Sequence, residues 1–255
     1  MKLPPFDYCS PATLAEAIAI LAANPGGARP LAGGQTLLPI MAFRLADPAL
    51  LIDLRRVPDL DRIDIEAGHV RIGAMVRWRD IENHPGLRAA CPILPEAISH
   101  VAHYQIRNRG TVGGSLAHAD PASEMPGIAV TCDAEIEVTG PAGTRSIPAG
   151  AFFLGPLTTA LAADELIVGI RIKRWPERRR WAFEEFAMRR GDFALAAVGV
   201  FYDEDPSGKA RDAHIGVIAA TDIPRRLPNA EAMLNGAVAD ARTILAVAEA
   251  AAAEI

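Results

Sequence analysis

Two short runs of the chain pair glycines with hydroxyl and amide side chains. They are Leu31-Ala32-Gly33-Gly34-Gln35-Thr36-Leu37-Leu38-Pro39 and Arg109-Gly110-Thr111-Val112-Gly113-Gly114-Ser115-Leu116-Ala117-His118-Ala119-Asp120-Pro121. Adjacent glycines permit positive φ and let an anion approach the main chain without a Cβ in the way. The first run leaves a strand-like segment and enters a helix-like one, so N–H groups and the positive end of a helix dipole converge there. Gln35 and Thr36 add side-chain donors, and Thr111 and Ser115 flank the second run in the same manner. Backbone amides can balance a diphosphate without lysine, so the two runs together can grip one pyrophosphate from both sides. Asp120 and Glu124 could then accept hydrogen bonds from sugar-alcohol hydroxyls. Taken singly, each run is equally a tight turn.

Other chemistries lack their residues. No two of the 21 glycines are separated by a single residue, which removes the Rossmann fingerprint and the kinase glycine loop. Gly208-Lys209-Ala210 lacks the hydroxyl and the upstream glycine of a P-loop, and no GxSxG exists for a hydrolase elbow. Cys9, Cys91 and Cys132 lie far apart and form no CxxC, so they read as buried thiols and not as zinc or cluster ligands. His100-x-x-His103 has no third ligand at zinc-like spacing, and metal binding is not expected. The net charge of −5 argues against a nucleic-acid binder. No apolar run is long enough for a membrane span, and no secretory signal opens the chain. A cytoplasmic protein is expected.

The elements that must hold these runs follow from pattern. Ser10-Pro11 predicts a helix start, with Leu14, Ile18 and Leu21 at helical spacing. A strand at 29–32 leads into Gly33, Thr36 is expected to cap a helix reaching about Arg44, and 49–53 reads as a buried strand. Residues 62–65 and 69–73 alternate as paired strands. Helices are expected near 77–83 and 95–104, then strands around 128–138 and 165–173. Arg174-Trp175-Pro176-Glu177 reads as a linker. Beyond it, 181–189, 195–202 and 213–220 predict three strands, with a turn at 205–208 and an Ala-rich helix over 238–254. The basic cluster Arg171, Lys173, Arg174, Arg178, Arg179 and Arg180 is most simply a solvated edge, with a partner-docking face as the alternative.

Four segments carry a family resemblance. AGGQTLLPIMAFRLADPALLIDL at 32–54, IRNRGTVGGSLAHADPASEMP at 106–126, FFLGPLTTALAADELI at 152–167 and MRRGDFALAAVGV at 188–200 resemble the FAD-binding medium subunit of the molybdenum hydroxylases. That group includes xanthine dehydrogenase and aerobic carbon monoxide dehydrogenase. The resemblance implies an α+β protein with the FAD-binding fold of vanillyl-alcohol oxidase and p-cresol methylhydroxylase. Its parts would be a β/α subdomain at 1–55, an α/β subdomain at 56–174 and a C-terminal α+β domain at 177–255. It further implies that Ala32, Gly33, Gly34, Gln35 and Thr36, with Leu37 beside them, and Thr111, Gly113, Gly114 and Ser115 hold the FAD pyrophosphate and adjoining ribityl. Glu124 matches an acidic ribityl contact and Val101 a position near the flavin ring. Asp192, Phe193 and the strand near Ile215 match segments that cover the isoalloxazine.

In the family this subunit hydroxylates nothing itself. Substrate is oxidised at a molybdopterin site in a large subunit. Electrons pass through iron–sulfur clusters of a small subunit to FAD and leave to an external electron acceptor. The resemblance therefore implies an electron-transfer subunit with those two partners. A second reading is a self-sufficient flavoprotein oxidoreductase, with His103, Tyr104 or His118 as acid or base; a third is a non-catalytic nucleotide-binding module. Relatives usually continue past the Ala-rich helix into a further polar segment and helix, whereas this sequence stops at Ile255; either the C-terminus is shortened or this member is compact, which puts contacts from such a tail in question.

Overall fold

A computed structural model describes residues 2–255. Strand β1 (Asp7–Cys9) is followed by helix α1 (Leu14–Ala23), β2 (Ala28–Leu31), α2 (Leu37–Ala42) and β3 (Leu50–Asp53). The three strands form a small parallel sheet in the order β1-β3-β2. The start of α1 corrects the Ser10-Pro11 expectation. Thr13 is the cap, its hydroxyl accepting from Glu16 N at 3.1 Å, while Glu16 reaches back to Ala12 N at 2.8 Å. This is the T-x-x-E pattern, which satisfies donors at both sides of the first turn. Thr36 stands at the head of α2 with helical backbone angles and makes no side-chain cap. That helix ends at Ala42, not at Arg44.

The second layer contains β4 (Ile63–Ile65), β5 (His69–Gly73), α3 (Trp78–Asn83), α4 (Leu87–Ala90), α5 (Ile93–Ile98), α6 (Tyr104–Arg107), α7 (Val112–His118) and α8 (Glu124–Thr131). It is completed by β6 (Glu135–Gly140), β7 (Gly143–Pro148), α9 (Ala149–Phe152), the two-stranded β8 (Phe153–Gly155) and β9 (Thr158–Thr159), and β10 (Leu166–Lys173). An antiparallel sheet runs β4-β5-β10-β6-β7. Its Val70, Ile72, Ile136, Val138, Ile170 and Ile172 are buried with side chains of the helices in the largest hydrophobic core.

Two expectations fail in this layer. The helix expected over 95–104 is broken: α5 stops at Ile98, Ala102 takes a left-handed φ of 41°, and α6 begins at Tyr104. Arg107 holds the break by donating to the carbonyls of Val101 and Ala102 at 3.0 and 2.9 Å. Residues 124–131, partly expected as strand, are the helix α8, and β6 starts only at Glu135.

The third sheet comprises β11 (Arg180–Ala187), β12 (Ala194–Glu204), β13 (Ala210–Ile218) and β14 (Arg225–Arg226), antiparallel in that order, followed by α10 (Pro228–Leu234) and α11 (Ala241–Glu254). Period-2 alternation gives it two faces. Ala213, Ile215 and Val217 pack against Leu227, Ala230 and Leu234 in a core with α10. On the opposite face, Gly216 lies against Thr131 and Ile218 against Gly127, both in α8. Two polar ties reinforce this docking. His214 Nδ1 lies 2.9 Å from the Thr131 carbonyl, and Arg226 forks onto both Asp133 oxygens at 2.8 and 2.7 Å.

The segment 174–177 is anchored, since Trp175 is buried and donates its N–H to Ala90 O at 2.8 Å. The basic cluster is not wholly a solvated edge either. Arg179 stacks over Trp175 and Phe201 and is paired with Asp203 at 2.7 Å and Asp212 at 3.3 Å. Among the described residues no helix is long and apolar enough to cross a membrane.

Candidate functional site

The two glycine runs lie against each other. A Cβ on Gly33 would overlap the carbonyl oxygen of Arg109 and sit 2.9 Å from its carbonyl carbon and 3.0 Å from Gly110 Cα. A Cβ on Gly114 would stand 3.8 Å from that of Ala32. The second run is held from behind: Trp78 N donates to Gly110 O, and the amides of Val112 and Gly113 donate to the carbonyls of Val76 and Ala74 at 3.0 and 2.8 Å. Gly113 is therefore a packing glycine, because a Cβ there would meet Ala74 Cβ at 2.6 Å.

The runs differ in what they offer a ligand. In the first, Gly34 has φ +71°, the Gln35 side-chain amide donates back to Gly33 O at 3.1 Å, and Leu38 N is the first amide to find a helical acceptor. Among the described residues, the main-chain N–H groups of Gly33, Gly34, Gln35, Thr36 and Leu37 have no acceptor. Leading amides of a helix are the donors an anion takes up. In the second run the amides of Gly113, Gly114 and Ser115 are already bonded, to Ala74 O, Thr111 Oγ1 and Thr111 O. The two-sided amide grip is thus corrected: only the first run leaves its amides open, and in the second the Thr111 hydroxyl is buried as the helix cap. Most of the second run is the whole of helix α7, capped by Thr111, and not an open loop.

Beyond α7 the surface turns acidic. Asp120 Oδ1 caps Ala122 N at 2.9 Å, and its Oδ2 lies 3.9 Å from His118 Nε2. Glu124, at the start of α8, is only 7% exposed, and burial, with the negative charges of Glu185 and Asp120, pushes its carboxyl up to about 8. On the other side of the runs an apolar recess of about 90 Å³ is lined by Ala32, Leu54, Met75, Gly114, Leu161 and Leu166, among others. Leu161 falls within the family-like segment 152–167 but is not singled out there, and Met75 carries no motif; their convergence in space marks them.

Val101 is half-buried just after α5, and the β11–β12 hairpin tip comes over it. Gly191 (φ +87°) lies so close that a Cβ would meet Ala102 O at 2.6 Å and His103 Nδ1 at 2.9 Å. Asp192 and Phe193 sit on this tip, Phe193 70% exposed. Ile215 does not join them. It is 2% exposed, and it packs on the α10 face of the third sheet, with its N–H bonded to Glu231 at 2.8 Å. The alternation of β13 points it away, so its placement over a ring is withdrawn. Tyr104 is exposed, and Cys91 and Cys132 are buried together, with the Cys132 thiol pushed well up by its contact with Cys91 and by burial.

Residues 4–175 match the family described as the FAD binding domain in molybdopterin dehydrogenase, and residues 181–255 match the CO dehydrogenase flavoprotein C-terminal domain. The chain belongs to this FAD-binding family. It is 43% identical to the nicotine 6-hydroxylase medium subunit of Paenarthrobacter nicotinovorans over 92% of its own length and 82% of that protein. Carbon monoxide dehydrogenase from Hydrogenophaga pseudoflava superposes with a TM-score of 0.96 at 37% identity, covering 99% of this chain and 88% of the other. Quinoline 2-oxidoreductase from Pseudomonas putida 86 gives 0.93 at 41% identity, with 98% and 87% covered. FAD needs anion donors, polyol acceptors and an apolar recess. Open amides at Gly33–Leu37 adjoin the recess through Ala32, and the acids Asp120 and Glu124 follow the helix α7 that lines it, so the residue types fit the cofactor.

Proposed function

We propose that this chain is the FAD-carrying, electron-passing subunit of a complex in which a large subunit oxidises substrate at a molybdopterin centre. A small iron–sulfur subunit delivers the electrons here, and an external acceptor removes them. Bound FAD supplies the ability to take and give electrons singly or in pairs. The protein's task is to hold that group, dry one face of it and fix its distance to the partners.

The observation that carries the reading is the row of five unpaired amides, Gly33 to Leu37, pressed against the second run. The amides take the diphosphate, with Ser115 donating from the other side. The sugar-alcohol chain crosses toward Asp120 and Glu124. The apolar recess beside Leu161 receives the adenine, and Val101 with the Asp192–Phe193 tip borders the ring. Residues 1–55 and 56–174 supply the two runs, and 177–255 the hairpin that covers the far end.

Mixing the purified chain with FAD and following the flavin absorption band tests this. One FAD per chain is expected, and Gly114→Val should lose it. A Cβ on Gly114 already approaches Thr111 Oγ1 at 2.9 Å, so a branched side chain pushes the capping hydroxyl out of place. Absence of any flavin band with the unmutated chain would refute the reading. Rapid substrate turnover by the chain alone would favour a self-sufficient flavoenzyme. Co-purification with molybdopterin and iron–sulfur subunits, and flavin bleaching only when both are present, is the expected result for the complex.

A further inference from the structure

The apolar recess beside the glycine runs contains one charged residue. Among the described residues its lining is apolar or glycine except at Glu165, which stands just before β10, next to Leu166. The carboxyl is tied on both oxygens. Arg145 Nε donates to Oε1 at 2.7 Å, Arg145 Nη2 to Oε2 at 2.8 Å, and the Ala162 amide also to Oε2 at 2.8 Å. The stem is pinned as well, since a Cβ on Gly140 would meet Glu165 Cγ at 2.9 Å. Arg145 Nη2 also reaches the Ala160 carbonyl at 3.0 Å, so the ion pair clamps the 160–162 turn that carries Leu161. The Arg145 fork holds the Glu165 carboxyl below the usual carboxylate range, so at neutral pH it is charged and can only accept. A carboxylate has about four acceptor sites, and these three donors leave one of them, on Oε1, open. The side chain is 12% exposed and is not sealed off.

We propose that Glu165 selects the base of the dinucleotide, its carboxylate accepting a hydrogen bond from the exocyclic amine of a 6-aminopurine seated in the recess. The assignment rests on the cofactor reading above, which seats the base there. Apolar walls such as Leu54, Met75 and Leu161 take the faces of any flat ring and cannot tell one purine from another. Discrimination has to come from the polar edge of the base, which costs affinity wherever it is buried without a partner. An amine brings the donor that the open Oε1 site lacks. A 6-oxopurine brings an oxygen lone pair against a fixed negative charge. Arg145 is not part of the lining; it is a positioning residue that keeps the carboxylate ionised and in one place.

The test titrates the flavin-free chain calorimetrically with FAD and, separately, with its hypoxanthine analogue, in which a carbonyl oxygen replaces the amine and the diphosphate, ribityl and flavin are unchanged. The unmutated chain should bind FAD about tenfold or more tightly than the analogue, the range for a hydrogen bond to a charged acceptor. Glu165→Gln, whose amide can face either an amine or a carbonyl, should weaken FAD, strengthen the analogue and bring the two together. Glu165→Asp keeps the charge for Arg145 but draws it back by one methylene, and should narrow the preference too. A turn merely disturbed by either change would weaken both ligands alike and leave their ratio where it was. Equal affinity of the unmutated chain for the two ligands overturns the assignment, and so does a ratio that neither variant moves. A chain that takes neither ligand overturns the cofactor reading itself.

Discussion

Gly33 meets the carbonyl of Arg109 with no space between them for a methyl group. The contact fixes the separation of the two glycine runs, and it is made by a glycine whose φ is not positive, so what it needs is room and not conformational freedom. Gly33→Ala should therefore drive the runs apart. Overpacking of this kind costs about 1–3 kcal/mol. The larger effect should be on FAD: the absorbance ratio of flavin to protein is expected to fall steeply while the far-ultraviolet circular dichroism stays native. Full flavin content in Gly33→Ala would show that the runs need not touch.

Glu124 ties stability to pH. Its carboxyl is raised by burial to about 8 from an unfolded value near 4.5, with Glu185 and Asp120 adding to the shift. The folded state then holds the proton more tightly than the unfolded chain, so the stabilising contribution is full below about 4.5 and is lost as pH rises through about 8. The flavin-free protein should show a Tm that declines across that window. Glu124→Gln should flatten most of the decline, with Glu185, shifted in the same direction, accounting for a remainder. Identical pH profiles for the two proteins would place the titration elsewhere.

The third sheet docks through glycines. A Cβ on Gly216 would overlap Thr131 Oγ1 and come within 2.9 Å of Thr131 Cβ. The Thr131 hydroxyl cannot swing away freely, since it donates to Gly127 O at 2.7 Å. Gly216→Ala should cost about 1–3 kcal/mol in urea unfolding. Thr131→Ala opens the same space, so the double variant should lose less than the sum of the two single ones. Strict additivity would mean that the sheet shifts as a body instead.

The helix carrying Thr131 was the least legible part of the fold. All eight residues of α8 are buried, so no polar face sets a 3.6-residue period; Pro126 and Gly127 are poor helix formers, and Val130 and Thr131 favour strands. The break after α5 was hidden for a different reason. It depends on Arg107 gripping the Val101 and Ala102 carbonyls, a tertiary contact that no local pattern announces. The strands of the third sheet, by contrast, alternate strongly enough to be placed within a few residues. The glycine runs were visible because they need particular residue types, but their division of labour depends on which amides Ala74 and Thr111 have already taken.

Asp53 anchors the entrance to the first glycine run. It pairs in register with Leu31, the last residue before Ala32, and its side chain is fully buried. Burial alone would raise its carboxyl, but hydrogen bonds from Arg55 Nε and Nη2 at 2.8 and 2.6 Å, Tyr8 Oη at 2.5 Å and the Arg55 amide at 2.9 Å outweigh it and hold the group below the usual range. A folded-state pKa below the unfolded value stabilises above that unfolded value, and the contribution is lost as pH falls through the folded one. Asp53→Asn keeps the shape and removes the charge, and should cost about 2 kcal/mol at neutral pH, the range for hydrogen bonds to a charged group. Tyr8→Phe should cost about 1 kcal/mol, because Arg55 still satisfies the carboxylate. The gap between Asp53→Asn and the unmutated protein should narrow in acid, where both carry an uncharged group at position 53. Urea unfolding at neutral and acidic pH measures it, and a gap that stays constant would mean that Arg55 and Tyr8 contribute through packing and not through the charge they hold.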